Sequence, residues 1–168
     1  GHGQSYGGYE KNRFFINQQG QSFVEAGYLL GVASEQDSRN LVAADLDSDG
    51  RADLVFTTFE AWPQKQQTLK IFRNRLENSG HWIGFHLREN AAAGSPVGAT
   101  VTLRSAGKTT LREVITGDSH RSQHPNSMLF GLGDQSQIEQ VEIRWQRGKS
   151  LILDHPAIDR YHAINPPK

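Results

Sequence analysis

The residues with the clearest chemical potential lie in the string DLDSDGRAD, which runs from Asp45 to Asp53. Carboxylates stand at its first, third, fifth and ninth positions, Gly50 at the sixth, and the carbonyl of Arg51 at the seventh. Oxygen ligands at this spacing can wrap around a hard cation, and Ca²⁺ fits them best. Four carboxylates this close together repel one another unless a cation neutralises them. The string therefore predicts a calcium-binding loop.

The flanks of the acidic string distinguish it from an EF-hand. The twelfth position, which needs a bidentate Glu in an EF-hand, would be Phe56. The flanking segments NLVAA and ADLVFTT have the composition of strands rather than helices. We expect a calcium loop at the tip of a β-hairpin. The alternative is a solvated Asp/Gly-rich turn between two strands.

A second polar string, GDSHRSQHPNS, spans residues 117–127. Its candidate ligand-binding residues are Asp118, His120, Arg121, Gln123 and His124. Polar side chains on loops held by a rigid scaffold often carry recognition, so a sugar or a polar peptide could bind here. Trp62, followed by Pro63, is an expected exposed aromatic for the same site. The alternative is a long polar connection between strands.

Catalysis receives little support from the sequence. There is no cysteine and no GxSxG string, and the histidines show neither HExxH nor HxH spacing. A glycosidase needs two carboxylates at a defined separation, and the sequence offers Glu113, Asp118, Glu139 and Glu142. Their alternation with apolar residues is typical of the exposed face of strands. We expect no catalytic residues and no enzyme; a hydrolase is the weakest of the alternatives.

Short segments rich in Val, Ile, Phe and Thr recur between turn residues, which predicts an all-β chain. No stretch has a sustained helical period, and RSAGKTT and WQRGKSL resemble β-hairpins. The balance of 18 Lys+Arg against 18 Asp+Glu argues against nucleic acid as a partner. No apolar run is long enough to span a bilayer, and no signal peptide is visible in this sequence.

Turn residues suggest three segments. Residues 1–11 form a lead without apolar period, and the first three are typical of an expression-tag remnant. A boundary is expected near Gly80, where Asn-Ser-Gly separates two strand candidates. Residues 12–79 would then hold the calcium loop, and residues 80–168 would form an antiparallel β-sandwich or barrel-like domain.

The first part resembles a known repeat. The strings NRFFINQQGQSFVEAGYLLGV, DSRNLVAADLDSDGRADLVFTT and KIFRN are similar to the FG-GAP/VCBS repeat of integrin-like β-propellers. The resemblance implies one or more partial propeller blades with a calcium hairpin. It also implies the ligand set, which is the side chains of Asp45, Asp47, Asp49 and Asp53 and the carbonyl of Arg51.

The second part resembles another family. GHWIGFHLRE, LFGLGD and VEIRW are similar to the ASPIC/UnbV domain found in cartilage acidic protein relatives. The two resemblances together imply a secreted or cell-surface protein whose partner is a protein or a glycan of the cell surface or matrix. They imply calcium as the cofactor and supply no enzymatic activity.

The expected number of strands is too small for a closed propeller, so we expect the chain to be a piece of a larger protein. A single blade exposes unpaired strand edges. This predicts close packing against the second domain or self-association through those edges. The favoured function is a calcium-binding adhesion or recognition module, and a carbohydrate-binding module is the alternative.

Overall fold

Alternating apolar and polar residues form twelve β-strands in the computed structural model, which describes residues 10–18, 20–60, 63–77, 80–115, 117 and 119–167. In chain order the strands are β1 (Phe15–Gln18), β2 (Ser22–Glu25), β3 (Asp37–Ala44), β4 (Asp53–Glu60), β5 (Gln66–Phe72), β6 (His81–Leu87), β7 (Thr100–Ser105), β8 (Lys108–Glu113), β9 (Ser127–Gly133), β10 (Gln140–Arg144), β11 (Ser150–Asp154) and β12 (Tyr161–Ile164).

The strands assemble into four sheets, with the orders β1-β2, β3-β4-β5, β12-β6-β9 and β11-β10-β7-β8. The all-β prediction is confirmed: the described residues contain no helix, and their sheets do not close into a barrel. Consistent with this, the described part of the chain offers no helix of the length and apolar character that crossing a membrane requires.

Two compact units divide the chain in an interlaced way. The first unit comprises the described residues up to Val42, Leu54–Phe72 and Ser119–Ser122. The second comprises Ala43–Asp53, Arg73–Asp118 and Gln123–Lys168, so far as these residues are described. The acidic loop thus belongs to the same unit as the C-terminal strands. The boundary expected near Gly80 stays a prediction about sequence domains, because the compact units follow spatial contacts rather than chain order.

The core of the second unit lies between its two larger sheets. Ile83 and Phe85 of β6 and Val141 and Ile143 of β10 are completely buried and belong to one apolar cluster. Because strands of both sheets contribute inward-facing side chains to one cluster, the arrangement is a β-sandwich. Phe85 also packs edge-on against Phe130 of β9, with ring centroids 6.1 Å apart.

The hairpins predicted in the C-terminal half are present. β7 and β8 pair antiparallel, and Ala106 and Gly107 between them both have positive φ angles of 49° and 70°. Two positive φ angles match a type I′ turn, whose twist suits a tight hairpin. β10 and β11 also pair antiparallel, across the turn that contains Gly148.

One pairing departs from the predicted antiparallel domain. β12 runs parallel to β6, with Tyr161 opposite Gly84 and Ile164 opposite Leu87. Parallel neighbours need a crossover rather than a tight hairpin. Residues 155–160 make this connection from β11, which lies in the other sheet, and the left-handed residues His155 and Asp159 turn the chain there.

The first unit has few buried side chains. Phe56 of β4 is buried and stacks on Phe72 of β5 at 5.3 Å, and Thr58 is buried beside it along the strand. In contrast, Phe23 of β2 and Leu69 of β5 are about two-thirds exposed, at 65% and 60%. This unit therefore leaves much of its apolar surface in contact with solvent.

The burial pattern makes a first prediction about stability. Replacing the fully buried Ile83 by Ala should cost about 2–5 kcal/mol of unfolding free energy, because it removes apolar contacts and leaves a cavity. The same substitution at Ile152, which is 54% exposed on the outer strand β11, should cost less than about 1 kcal/mol. Urea unfolding followed by tryptophan fluorescence compares the two; equal losses would contradict the assignment of the core.

Candidate metal centre

The acidic loop between β3 and β4 is organised by its first carboxylate. Asp45 accepts hydrogen bonds from the backbone N–H of Asp49 on Oδ1, at 3.1 Å, and from that of Gly50 on Oδ2, at 2.8 Å. Ser48 and Gly50 have positive φ angles of 61° and 85°. Such backbone angles favour glycine and tolerate small polar residues, as in other tight Asx-type turns.

The last carboxylate of the string has a different environment. Asp53 is 2% exposed and accepts the backbone N–H of Leu46 at 3.1 Å and that of Asn74 at 2.8 Å. The Asn74 side chain donates in turn to the carbonyl of Ala52 at 3.2 Å. Asp53 thus closes the base of the loop and ties it to the segment that follows β5.

The loop rests on an aromatic surface of the second unit. A Cβ atom placed on Gly50 would lie 2.3 Å from the indole of Trp82, so only glycine fits at this contact. Tyr161 packs edge-on against Trp82 at 5.1 Å and stacks on His86 at 4.3 Å. Its hydroxyl donates a hydrogen bond of 2.8 Å to Oδ2 of Asp45. The first carboxylate is therefore connected directly to strand β12.

Two arginines neutralise the other carboxylates. Arg51 forms a short ion pair with Asp49. Nη2 of Arg73 lies 2.6 Å from Asp47 and 3.6 Å from Asp49. The guanidinium of Arg51 is held in place by a bond from its Nε to the carbonyl of Asn74, at 3.1 Å.

These contacts shift two pKa values. Burial acts to raise the pKa of Asp49, but the backbone N–H of Arg51 and the charges of Arg51 and Arg73 outweigh it, and the pKa falls below 3.8. The pKa of Tyr161 is raised, first by burial and then because its hydroxyl donates to the carboxylate of Asp45. The hydroxyl of Tyr161 therefore stays protonated at neutral pH and donates to Asp45.

The donor set fits a hard divalent cation. Asp45, Asp47 and Asp49 each offer a carboxylate oxygen, and these three atoms lie within 4.8 Å of one another. Oxygen ligands of this kind suit Ca²⁺. Of the predicted ligands, Asp53 is not part of this group, and the side chain of Arg51 pairs with Asp49. A cation at the group would compete with the two arginine ion pairs for the same carboxylates.

The polar string after β8 lies partly along the outer strand β3. The hydroxyl of Ser119 accepts the backbone N–H of Leu41 at 3.0 Å, and the hydroxyl of Ser122 donates to the carbonyl of Leu41 at 3.2 Å. Nδ1 of His124 lies 3.3 Å from the carbonyl of Ala43. These bonds satisfy backbone groups on a strand that has no other neighbour on this side in its sheet.

The predicted ligand-binding residues of this string separate in the structure. His120 and Arg121 line a cavity in the first unit. His124 lines another cavity, in the second unit, together with Asp45 and Tyr161. Gln123 is exposed. Asp118 and Trp62, which were predicted for the same site, lie outside the described residues.

Three residues at the acidic loop had no signal in the sequence. Trp82 and Tyr161 lie in ordinary strand patterns, and Arg73 lies in the string KIFRN, which gave no indication of a contact with the loop. Each approaches the loop only through the tertiary fold. Gly50 was predicted for the turn, but its contact with Trp82 gives it a second reason to be glycine.

Comparison with known protein families gives a match to the C-terminal part of the chain. Residues 89–168, just under half of the chain, match the family described as ASPIC and UnbV. The match begins after β6 and includes β7 to β12. No curated protein sequence matches this chain.

The contact between Gly50 and Trp82 predicts that Gly→Ala lowers the free energy of unfolding more at position 50 than at position 148. Gly148 has a left-handed φ of 80° and open space around it. Gly148→Ala should therefore lower the free energy of unfolding by only about 1–2 kcal/mol, which is the cost of a left-handed backbone for a residue with a Cβ. Gly50 has a similar φ of 85°, but an added Cβ would also clash with the indole of Trp82. Gly50→Ala should therefore lower the free energy of unfolding by clearly more than Gly148→Ala does. Urea unfolding of both variants measures the difference. Equal costs would show that the loop does not rest on Trp82.

The lowered pKa of Asp49 predicts a pH dependence. Because the folded pKa lies below the unfolded value, Asp49 contributes stability above about pH 4 and loses it as the pH falls through the folded pKa. The stability difference between the unsubstituted protein and Asp49→Asn, measured in chelator, should be constant above pH 5 and narrow below pH 4. A difference independent of pH would contradict the ion pairs.

Proposed function

We propose that this chain is a calcium-binding recognition module without enzymatic activity, belonging to a secreted or cell-surface protein. The observation that carries the proposal is the group of three carboxylates, Asp45, Asp47 and Asp49, at the tip of the β3–β4 connection. Calcium is plentiful outside cells, where even sites of millimolar affinity are filled. The resemblance of the flanking strings to FG-GAP/VCBS repeats supports the same assignment.

Calcium would act on stability and loop order in this proposal. The residues that would hold it are already fixed by other contacts: Asp45 by Tyr161, and Asp49 by the backbone of Arg51. A cation that binds the folded loop and not the unfolded chain stabilises the protein by mass action. It would also remove the mutual repulsion of the three carboxylates, which Arg51 and Arg73 otherwise reduce.

We infer further that residues 12–79 form a repeat of the FG-GAP/VCBS type, with a partial propeller blade. The antiparallel β4–β5 pair and the acidic connection between β3 and β4 support this inference. The exposed apolar side chains of the first unit, among them Phe23 and Leu69, support contact with a further domain, a second copy or a partner protein.

Carbohydrate binding is the second candidate. The cavity lined by His120 and Arg121, with neutral polar neighbours such as Asn40 and Gln67, supports it. A hydrolase is less well supported. Among the glutamates considered for it, Glu142 lies 3.5 Å from Arg144, and Glu139 accepts the backbone N–H of Gly107 at 3.4 Å.

Thermal unfolding with and without calcium tests the first proposal. Calcium at about 100 times its dissociation constant should add about 2.7 kcal/mol, which corresponds to a rise in Tm of roughly 5–10 °C for a chain of this length. Asp47→Asn and Asp49→Asn should each abolish the rise. No rise in the unsubstituted protein would overturn the proposal.

Two control variants separate the metal site from general charge effects. Glu89→Gln removes one exposed carboxylate outside the group and should keep the full rise. Arg73→Gln removes the competing cation and should shift calcium binding to lower concentrations, since Arg73 pairs with Asp47 and Asp49. Weaker calcium binding in Arg73→Gln would contradict the assigned ligands.

A further inference from the structure

A cavity of about 390 Å³ lies within the first unit, beside strands β3 and β4. The residues of its lining that matter for ligand chemistry are Arg39, Asn40, Thr57, Phe59, His120 and Arg121. Its volume is at the lower end of the range for small-molecule sites, which is about 300–1,000 Å³. A ligand of one or two sugar rings suits this space.

The side of the cavity contributed by residues 119–122 is held by two serine hydroxyls. Ser119 and Ser122 bond the backbone N–H and carbonyl of the same residue, Leu41 of β3. His120 and Arg121 lie between these two anchors, and Arg121 has a left-handed φ of 55°. The anchors at both ends fix the backbone that carries His120 and Arg121 against β3.

The cavity has a cationic lining. Arg39 and Arg121 both line it, and none of its described lining residues is acidic. Arg39 has one carboxylate neighbour, Asp37, at 3.5 Å, and its side chain remains 46% exposed. A guanidinium can bind a carboxylate, sulfate or phosphate through two parallel hydrogen bonds. The charge of the lining therefore favours an anionic ligand.

Neutral groups in the same lining suit the rest of a sugar. Oδ1 of Asn40 accepts the backbone N–H and the hydroxyl of Thr57, both at 3.0 Å. These bonds orient the Asn40 amide and use its oxygen, and its Nδ2 can donate to a ligand hydroxyl. Phe59 is half-buried and lies beneath Arg39, with 5.6 Å between the guanidinium carbon and the ring centroid. This cation–π contact holds the Arg39 side chain over the Phe59 ring.

We propose that this cavity binds an anionic sugar, with its acidic group on the Arg39 and Arg121 guanidiniums and its hydroxyls on Asn40 and His120. The inference rests on the carbohydrate-binding candidate and does not depend on calcium at the acidic loop. Uronic acids and sulfated sugars share the required chemistry: one negative charge beside several hydroxyls.

A titration of the whole chain with matched sugars tests the proposal. Chemical shifts in ¹H–¹⁵N spectra are followed as D-glucuronate, D-glucose 6-sulfate, D-glucose or acetate is added. We expect saturable binding of one or both anionic sugars at millimolar concentrations, and binding of glucose and acetate that is at least about tenfold weaker. The two anionic probes distinguish a carboxylate ligand from a sulfate ligand.

Substitutions locate the binding. Arg121→Gln and Arg39→Gln should each weaken binding of the anionic sugar roughly tenfold, as expected for the loss of a charged hydrogen bond. Arg75→Gln removes an exposed arginine outside the cavity and should leave the affinity unchanged. Unchanged spectra of the free variants away from the cavity show that they fold.

The other outcomes overturn the proposal in distinguishable ways. Glucose binding as tight as glucuronate binding, and weakened by Arg121→Gln, would retain the carbohydrate-binding candidate and refute the anionic ligand. If acetate binds as tightly as glucuronate and glucose 6-sulfate, the cavity recognises an anion only, and the proposal that its ligand is a sugar would be refuted. Absence of saturable binding by all four probes, or binding unaffected by both arginine substitutions, would refute the site.

Discussion

The structure of the acidic loop depends on the hydrogen bonds to one carboxylate. Asp45 accepts the backbone N–H groups of Asp49 and Gly50, which curl the loop, and the hydroxyl of Tyr161, which connects the loop to the C-terminal sheet. A carboxylate is suited to this role because it is an acceptor with two oxygens and several lone pairs. Local turn geometry and tertiary attachment are thus provided by the same side chain.

This arrangement brings the carboxylates of Asp45, Asp47 and Asp49 together, and neighbouring groups must offset their electrostatic repulsion. Arg51 and Arg73 contribute opposite charges, and the hydroxyl of Tyr161 donates a hydrogen bond to Asp45. The same carboxylates are the expected ligands of calcium. In the proposed function, a bound calcium ion would compete with the two arginines for these carboxylates, and that competition would set how strongly calcium stabilises the fold.

Much of the fold could be predicted from local sequence. Strand patterns indicated an all-β chain, and the Gly-Lys between alternating runs in RSAGKTT indicated the hairpin that β7 and β8 form. The parallel pairing of β12 with β6 could not be predicted, since it depends on a crossover between sheets. For the site, the spacing of Asp45, Asp47 and Asp49 predicted their convergence. Nothing local indicated that Trp82 and Tyr161 would support them.

The polar string at residues 117–127 contains serines with a structural role beside its predicted ligand-binding residues. Ser119 and Ser122 use their hydroxyls on the backbone of Leu41, and His124 lies at the carbonyl of Ala43. Composition alone gave no signal for the role of these serines. Its role here depends on the outer strand β3, whose backbone groups need partners.

The bond between Asp45 and Tyr161 joins residues 116 positions apart in the chain. During synthesis at about 5–20 residues per second, the acidic loop would leave the ribosome roughly 6–23 s before the tyrosine that anchors it. Over that interval the loop has only nearby partners, such as Arg51 and Arg73, to offset its charge. Its native position on Trp82 and Tyr161 is therefore a late event in folding, completed only when β12 joins β6.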